Sequence, residues 1–357
     1  MNGFARPLEM HGDYEDPRPS AIDGKLDTAG NRGPVVNVHA TTNRDAENLE
    51  RLATLLEQSG EYRILRRLRP SNVSTLEAGA VTRRGIFVDV ETTGLDPSVD
   101  EVVELAMIAF DYTVDGSLLQ IVGSFDQVRD PGRPIPPEIT RLTGLTDDMV
   151  ATKSIDDDAV MEFVQPAALI LAHNAAFDRR FCERLFPVFA EKPWACSFRE
   201  VSWAEEGFES ARLSGLANGY GLFFDGHRAL NDCEVGVELL SRSLPLSGRT
   251  GLATILKSAR RPCWRIRAVG APFSFRETLK LRKYRWDAGD QQRRGAWCID
   301  VPENDFDAEC TFLREEIYRQ HDASIDARLL TAYERYSDRE DTARAPDQHH
   351  PCLDDRK

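Results

Sequence analysis

Residues 85–97 read GIFVDVETTGLDP, an apolar run of strand-forming residues that ends in two acids, Asp89 and Glu91. Side chains alternate along a strand, so both carboxylates face one side while Val90 faces the other. Two such groups held close together repel each other, and burial adds to the cost. A divalent cation would relieve both penalties, because hard oxygen ligands suit Mg2+ or Mn2+. A strand end where both acids simply reach water would relieve them as well. These residues alone leave both readings open.

From residue 85 to about 245 strand and helix patterns alternate. EVVELAMIAFDY (101–112) reads as a second strand with both faces covered, and LLQIVGSFDQVRDP (118–131) as a third that runs into a proline-rich loop. SIDDDAVMEFVQPA (154–167) is helical with Ser154 placed as its cap. ALILAHN (168–174) is a fourth strand, and AAFDRRFCERLF (175–186) a helix directly behind it. LSGLANGYGL (213–222) and NDCEVGVELLSRSL (231–244) follow as helices. The pattern predicts an α/β domain around a mixed sheet. Asp178 falls in the first turn of a helix after a buried strand, where such sheets gather functional groups. An acid there also complements a helix dipole, as does Asp232 near another helix start. His227 lies just before Asp232 and by itself reads as a surface histidine.

Taken together, VDVETTGLDP (88–97), HNAAFD (173–178) and HRALND (227–232) resemble the motifs of the DEDDh 3′–5′ exonucleases. The nearest likeness is to the epsilon proofreading subunit of bacterial DNA polymerase III, with ribonuclease T as a relative. The loop RPIPPEITRLTGLTDDMV (133–150) is also similar to that subgroup's segment between the first two motifs, and the resemblance spans roughly residues 84–243. It implies a ribonuclease H-like fold and a phosphodiesterase using two divalent cations, Mg2+ or Mn2+. By motif position Asp89, Glu91, Asp178 and Asp232 would be the metal ligands and His227 the general base. The TTGL turn would hold the terminal nucleotide through Thr92, Gly94 and Leu95. His173, Asn174 and Phe177 match the second motif; the first two are expected to act mainly as supports. Phe177 could stack on a base or pack in the core, and Gly94 is expected to serve a tight turn with positive φ.

The 357-residue chain is long enough for more than one domain, and its composition, 41% apolar and 29% charged, is that of a globular protein. No apolar run approaches the roughly 20 residues needed to cross a membrane. The N-terminus lacks the apolar stretch of a signal peptide, which points to the cytoplasm. Seven scattered cysteines without a C-x-x-C pair argue against disulfides and structural zinc. The net charge of −14 would argue against a nucleic-acid partner, but its distribution is uneven. Residues 257–294 carry twelve Lys or Arg against three acids, a local +9 beside −23 elsewhere.

Five segments are expected: a disordered stretch 1–43, a helical element 44–83, the nuclease domain 84–245, a small basic aromatic-rich α+β domain 250–320, and a C-terminal helix with a mobile tail, 321–357. In the first helix Asn43 or Asp45 can cap, and Leu49, Leu52, Leu55 and Leu56 line one face; EYRILRRLRP (61–70) reads as a short strand or helix. In the basic domain SFRETLKLRKYRW (274–286) reads as one helix, with Lys280, Arg282, Lys283 and Arg285 available to substrate. Trp286 and Trp297 are expected to build its core, although aromatics among cations also suit single-stranded nucleic acid. The expected function is 3′–5′ exonucleolytic hydrolysis releasing nucleoside monophosphates from DNA, at single-stranded or frayed ends, in repair or end processing. Alternatives are a polymerase III-associated proofreading subunit, an RNA 3′-end trimming nuclease and a non-catalytic nucleic-acid-binding protein. The basic domain departs from the short polymerase-binding tail of the epsilon subunit, which favours a free-standing enzyme.

Overall fold

The computed structural model describes residues 43–69, 81–289 and 294–339. The disordered N-terminal segment and the mobile tail expected from sequence fall, up to residue 42 and beyond residue 339, outside the described residues, as does Cys352. The chain divides into two units, Met1–Arg63 and Ile64–Lys357. In the first, α1 (Asn43–Gln58) is amphipathic, and its stripe of Leu49, Leu52, Leu55 and Leu56 stands 40–62% exposed.

The second unit opens with a two-residue strand, β1 (Arg66–Arg67). The central sheet then forms from β2 (Thr82–Thr92), β3 (Val102–Thr113) and β4 (Leu118–Val128), an antiparallel meander, followed by β5 (Leu169–Ala172) and β6 (Trp194–Cys196), which run parallel to β2. Its order is β4-β3-β2-β5-β6. Between β4 and β5 lie α2 (Pro137–Thr143), α3 (Asp147–Val150) and α4 (Asp157–Val164); α5 (Ala175–Leu185) makes the crossover to β6. After β6 come α6 (Ser197–Glu200), α7 (Leu213–Gly219), β7 (Leu222–Phe223), α8 (Ala229–Ser241) and α9 (Gly251–Ala259), with β7 pairing parallel to β1. This is the mixed, ribonuclease H-like α/β sheet that the motifs imply.

Each face of β2 builds a separate core. Phe87 packs toward α8 and α9 with Val235, Leu239, Leu252 and Ile255, all buried. Ile86 and Val88 face α4 and α5 with Val160, Val164 and Phe181. Strand β3 is buried on both faces from Val102 to Phe110, which explains its weak alternation in sequence. The cap of α4 is Asp156, whose carboxylate accepts from the Ala159 amide 3.1 Å away, and not Ser154.

The C-terminal sheet is antiparallel throughout, in the order β11 (Asp326–Leu330), β8 (Cys263–Ala268), β10 (Arg294–Pro302), β9 (Arg285–Gly289). In place of the single helix expected over 274–286, α10 (Arg276–Leu281) stops early: Lys283 turns the chain at φ 70° and Arg285 begins β9. Nor does the region after residue 321 hold the last helix among the described residues. That helix, α11 (Phe306–Phe312), continues as a π-helical turn over Leu313–Tyr318, and β11 follows. Ile266, Leu279, Tyr284, Val301, Leu313 and Ile317 make this core. Trp297 packs against it, whereas Trp286 is 57% exposed and only meets Trp297 edge-on at 5.6 Å. Trp286 is therefore not the core residue expected.

Residues 331–339 then return to the central sheet. Arg179, wholly buried on α5, pairs with Glu183 at 2.6 Å and donates to the carbonyls of Arg335 and Tyr333, each at 2.6 Å. The Trp194 amide donates to the Ala332 carbonyl at 2.7 Å. The C-terminal sheet is thus tied to the central one by the segment that follows β11.

Candidate active site

Pairing of β2 with β5 ends at Phe87–Leu171, while β2 continues to Thr92. Asp89 and Glu91 occupy that overhang, on the face shared with Phe87. Asp232 reaches them from the first turn of α8. One carboxylate oxygen from each of Asp89, Glu91 and Asp232 lies within 4.8 Å of the others. Asp178, in the first turn of α5 and 3% exposed, stands beside Asp89 and raises its affinity for protons. The four acids that the motifs single out therefore converge from three elements.

The electrostatics of the cluster run one way. Burial, then the charges of Asp178, Asp232 and Glu91, push Asp89 well above the usual carboxylate range. Burial and Asp232 raise Glu91 to about 8. Burial raises Asp178 to about 7 against backbone amides, including that of Val90, that favour its charged form. Asp232 is raised to about 6, burial again outweighing the His227 amide. Oδ2 of Asp232 is buried without a hydrogen-bond partner. Crowded, desolvated carboxylates with an orphaned oxygen are short of positive charge, and an all-oxygen donor set suits a hard divalent cation. The residues fit a metal.

His227 is exposed at the rim, in the left-handed region at φ 65°. The sequence does not reveal what holds it there. Glu104, fully buried on β3 and directly opposite Glu91, accepts from Arg228 Nε at 3.0 Å and Nη2 at 2.7 Å, and from the Ala229 amide at 2.9 Å. It thereby caps α8 and pins the residue after His227. A lone acid in the otherwise apolar VVELAMIAF was the available signal. Arg228 also neutralises part of the charge that Glu104 adds.

The expected substrate contacts divide. His173 and Asn174 line a cavity of about 380 Å³ with His227, Asp232, Phe198, Arg212 and Phe224. Both ring nitrogens of His173 are engaged, one at 2.8 Å from the Ala211 carbonyl and one at 2.9 Å from the Ser197 hydroxyl. A carbonyl can only accept, so the proton sits on Nε2 and Nδ1 accepts from Ser197. Burial lowers this imidazole to about 4, and it serves as a support. Phe177 packs on Phe181 with ring centroids 4.9 Å apart, the core option of the two foreseen. Thr92 is buried, its hydroxyl donating to the Gly94 carbonyl at 2.5 Å, and Leu95 is 83% exposed. Gly94 lacks the positive φ expected of it. Its reason is a close approach: a Cβ there would lie 2.4 Å from Oδ2 of Asp100. Phe198 and Arg212, on the cavity wall, belong to no motif and were missed from sequence.

Residues 86–240 match the model of the family described as Exonuclease (RNase_T). Over 162 residues the chain is 28% identical to a DNA polymerase III subunit epsilon from Treponema pallidum, covering 43% of this chain and 73% of that one. It is 30% identical over 175 residues to a DNA polymerase III PolC-type from Bacillus subtilis, and 28% over 176 residues to one from Thermotoga petrophila. These alignments take in 47% and 48% of this chain, which spans only 12% of the length of either PolC-type relative. A solved structure of exonuclease X in complex with 5′ overhanging duplex DNA is 27% identical, with 48% of this chain and 99% of that one covered, at a TM-score of 0.37. No helix among the described residues is long and apolar enough to cross a membrane.

Proposed function

We propose that the chain is a metal-dependent 3′–5′ exonuclease that releases nucleoside monophosphates from the 3′ ends of single-stranded or frayed DNA, in end processing or repair. The observation that carries this reading is the convergence of Asp89, Glu91 and Asp232, with Asp178 beside them and a buried Asp232 oxygen left unpartnered. Together these carboxylates would hold two divalent cations, Mg2+ or Mn2+. Such ions stabilise the charge that develops on both oxygens exchanged at a phosphodiester. The chain's own residues do the rest. His227, at the solvent-facing rim of the cluster, is placed to take the proton of the attacking water. Glu104 and Arg228 hold its loop, and His173, kept neutral by burial, supports the wall on which Phe198 and Arg212 meet the terminal nucleotide. A wall that combines a guanidinium with aromatic rings suits a nucleotide.

The test is digestion of 5′-labelled single-stranded DNA, duplex DNA and RNA with Mg2+ or Mn2+, alongside Asp89→Ala and His227→Ala. A ladder shortening from the 3′ end is expected, fastest on single-stranded DNA and lost in both variants. Undiminished activity of Asp89→Ala would overturn the metal assignment, and faster trimming of RNA would overturn the substrate.

A further inference from the structure

A second, larger cavity of about 970 Å³ lies where the two sheets meet, walled by α6 and α9 on one side and by β8, β9 and β10 on the other. Six cations stand on its walls: Arg335, which pairs with Glu200 at 3.6 Å, and five more, Arg199, Lys257, Arg261, Lys283 and Arg285. None of the five pairs with a carboxylate among the described residues. The two acids on the same walls are already engaged. Asp300 takes a two-pronged contact from Arg265 at 2.7 and 2.9 Å, and Glu200 accepts from the Tyr336 hydroxyl at 2.8 Å and the Cys196 amide at 2.9 Å. With six cations against two acids on its walls, the groove presents a net positive charge inside a chain of net charge −14. Arg285 on β9 and Arg199 on α6 also face each other. Burial and the neighbouring Arg199 charge hold Arg285 below the ordinary guanidinium range. Asp300 offsets part of the repulsion between these two like charges, and a further anion in the groove would offset more of it.

The groove does not stand apart from the acidic site. Phe198, 43% exposed, lines both cavities and packs edge-on against His173 at 5.6 Å. We propose that this groove is the track for the phosphate backbone of a single strand whose 3′ end lies at the acidic cluster, with Phe198 at the junction between end and track. The inference rests on the 3′-end reading above. It also divides the cations expected on one helix. Arg282 is held by Glu309 at 2.8 Å and Lys280 by Glu277 at 3.3 Å, while Lys283 and Arg285 face the track. Exposed Trp286 neighbours Arg285 on a strand and so points to the opposite face, away from the track.

The test uses the full chain in EDTA, with anisotropy of a 5′-labelled oligo(dT) of about 20 nucleotides and of a labelled trinucleotide. Lys257 and Lys283 are exposed, so Lys257→Glu with Lys283→Glu is expected to fold; Arg276→Glu with Lys280→Glu makes the same charge change outside the groove. The groove variant should bind the long strand at least about 10-fold more weakly, and its salt slope should flatten by about 1.4, roughly 0.7 for each phosphate no longer neutralised. Trinucleotide binding should be unchanged, and the control pair should stay near wild type. Equal losses in both pairs, an equal loss on the trinucleotide, or a wild-type protein that holds both lengths equally would overturn the track. Because binding is read without metal, a wild-type protein that shows this length dependence yet releases no nucleotide in Mg2+ supports the track and counts against the nuclease reading alone.

Discussion

A single buried acid, Glu104, does the most for the site without belonging to any of its motifs. It lies opposite Glu91 across the β2–β3 ladder, a like-charge pairing that would destabilise the sheet if Arg228 did not answer it. The same ion pair fixes the backbone that carries His227. Glu104→Gln should therefore lower kcat by about 10–100-fold, the usual cost of losing a supporting partner, with KM little changed. A kcat within about twofold of wild type would deny Glu104 that positioning role. His173 makes a prediction of a different kind. Its folded pKa of about 4 lies below the ordinary 6.5, so the unfolded chain binds the extra proton between those values. Its contribution is complete above about pH 6.5 and is lost as pH falls toward 4. The stability gap between wild type and His173→Gln should narrow by about 2 kcal/mol from pH 7.5 to pH 5, in urea titrations at the two values. A gap that stays constant would mean that His173 is not buried neutral.

Between elements, α8 lies unusually close to β2. Gly236 sits mid-helix, where alanine ordinarily gains about 1 kcal/mol over glycine. Here a Cβ would stand 2.2 Å from the ring of Phe87, which has no exposed surface and no room to move. Overpacking of that kind costs about 1–3 kcal/mol, so Gly236→Ala should be net destabilising in a denaturant titration. It should also lower activity, because the same packing sets how near Asp232 comes to Asp89. A variant as stable as wild type would show that the helix can back away. The early end of α10 follows the same logic. Its sequence continues as a good helix through Tyr284, yet Tyr284 is buried with its hydroxyl 2.8 Å from the Glu309 carboxylate on α11. Arg282 pairs with that same carboxylate. Both interactions require the chain to turn at Lys283.

For the whole molecule, the return of residues 331–339 decides how the two sheets are joined. Arg179 is the buried centre of that joint. Arg179→Met would leave the carbonyls of Ala332, Tyr333 and Arg335 without this donor and Glu183 with Arg339 as its remaining cation, and should cost about 3–5 kcal/mol. Limited proteolysis should then open the chain between β11 and Arg339 before it opens the central sheet. If cleavage there is no faster than in wild type, the joint is held by other interactions.

What the sequence determined by itself was local and periodic. The apolar alternation around VDVET established a central strand with two acids on one face, and the first-turn positions of Asp178 and Asp232 could be read from the helices they open. Those features depend on neighbours within a few residues, so pattern alone exposes them. The tertiary structure decided the rest. Glu104 meets Arg228 across 124 residues of sequence, Arg179 meets Arg335 across 156, and Phe198 acquires its place between two cavities only when β6 lies beside β5. Gly94 and the two tryptophans show the same divide, since a glycine's reason and a ring's burial depend on what packs against them. Periodicity says which side of an element is apolar; it does not say which distant residue arrives to fill the remaining space.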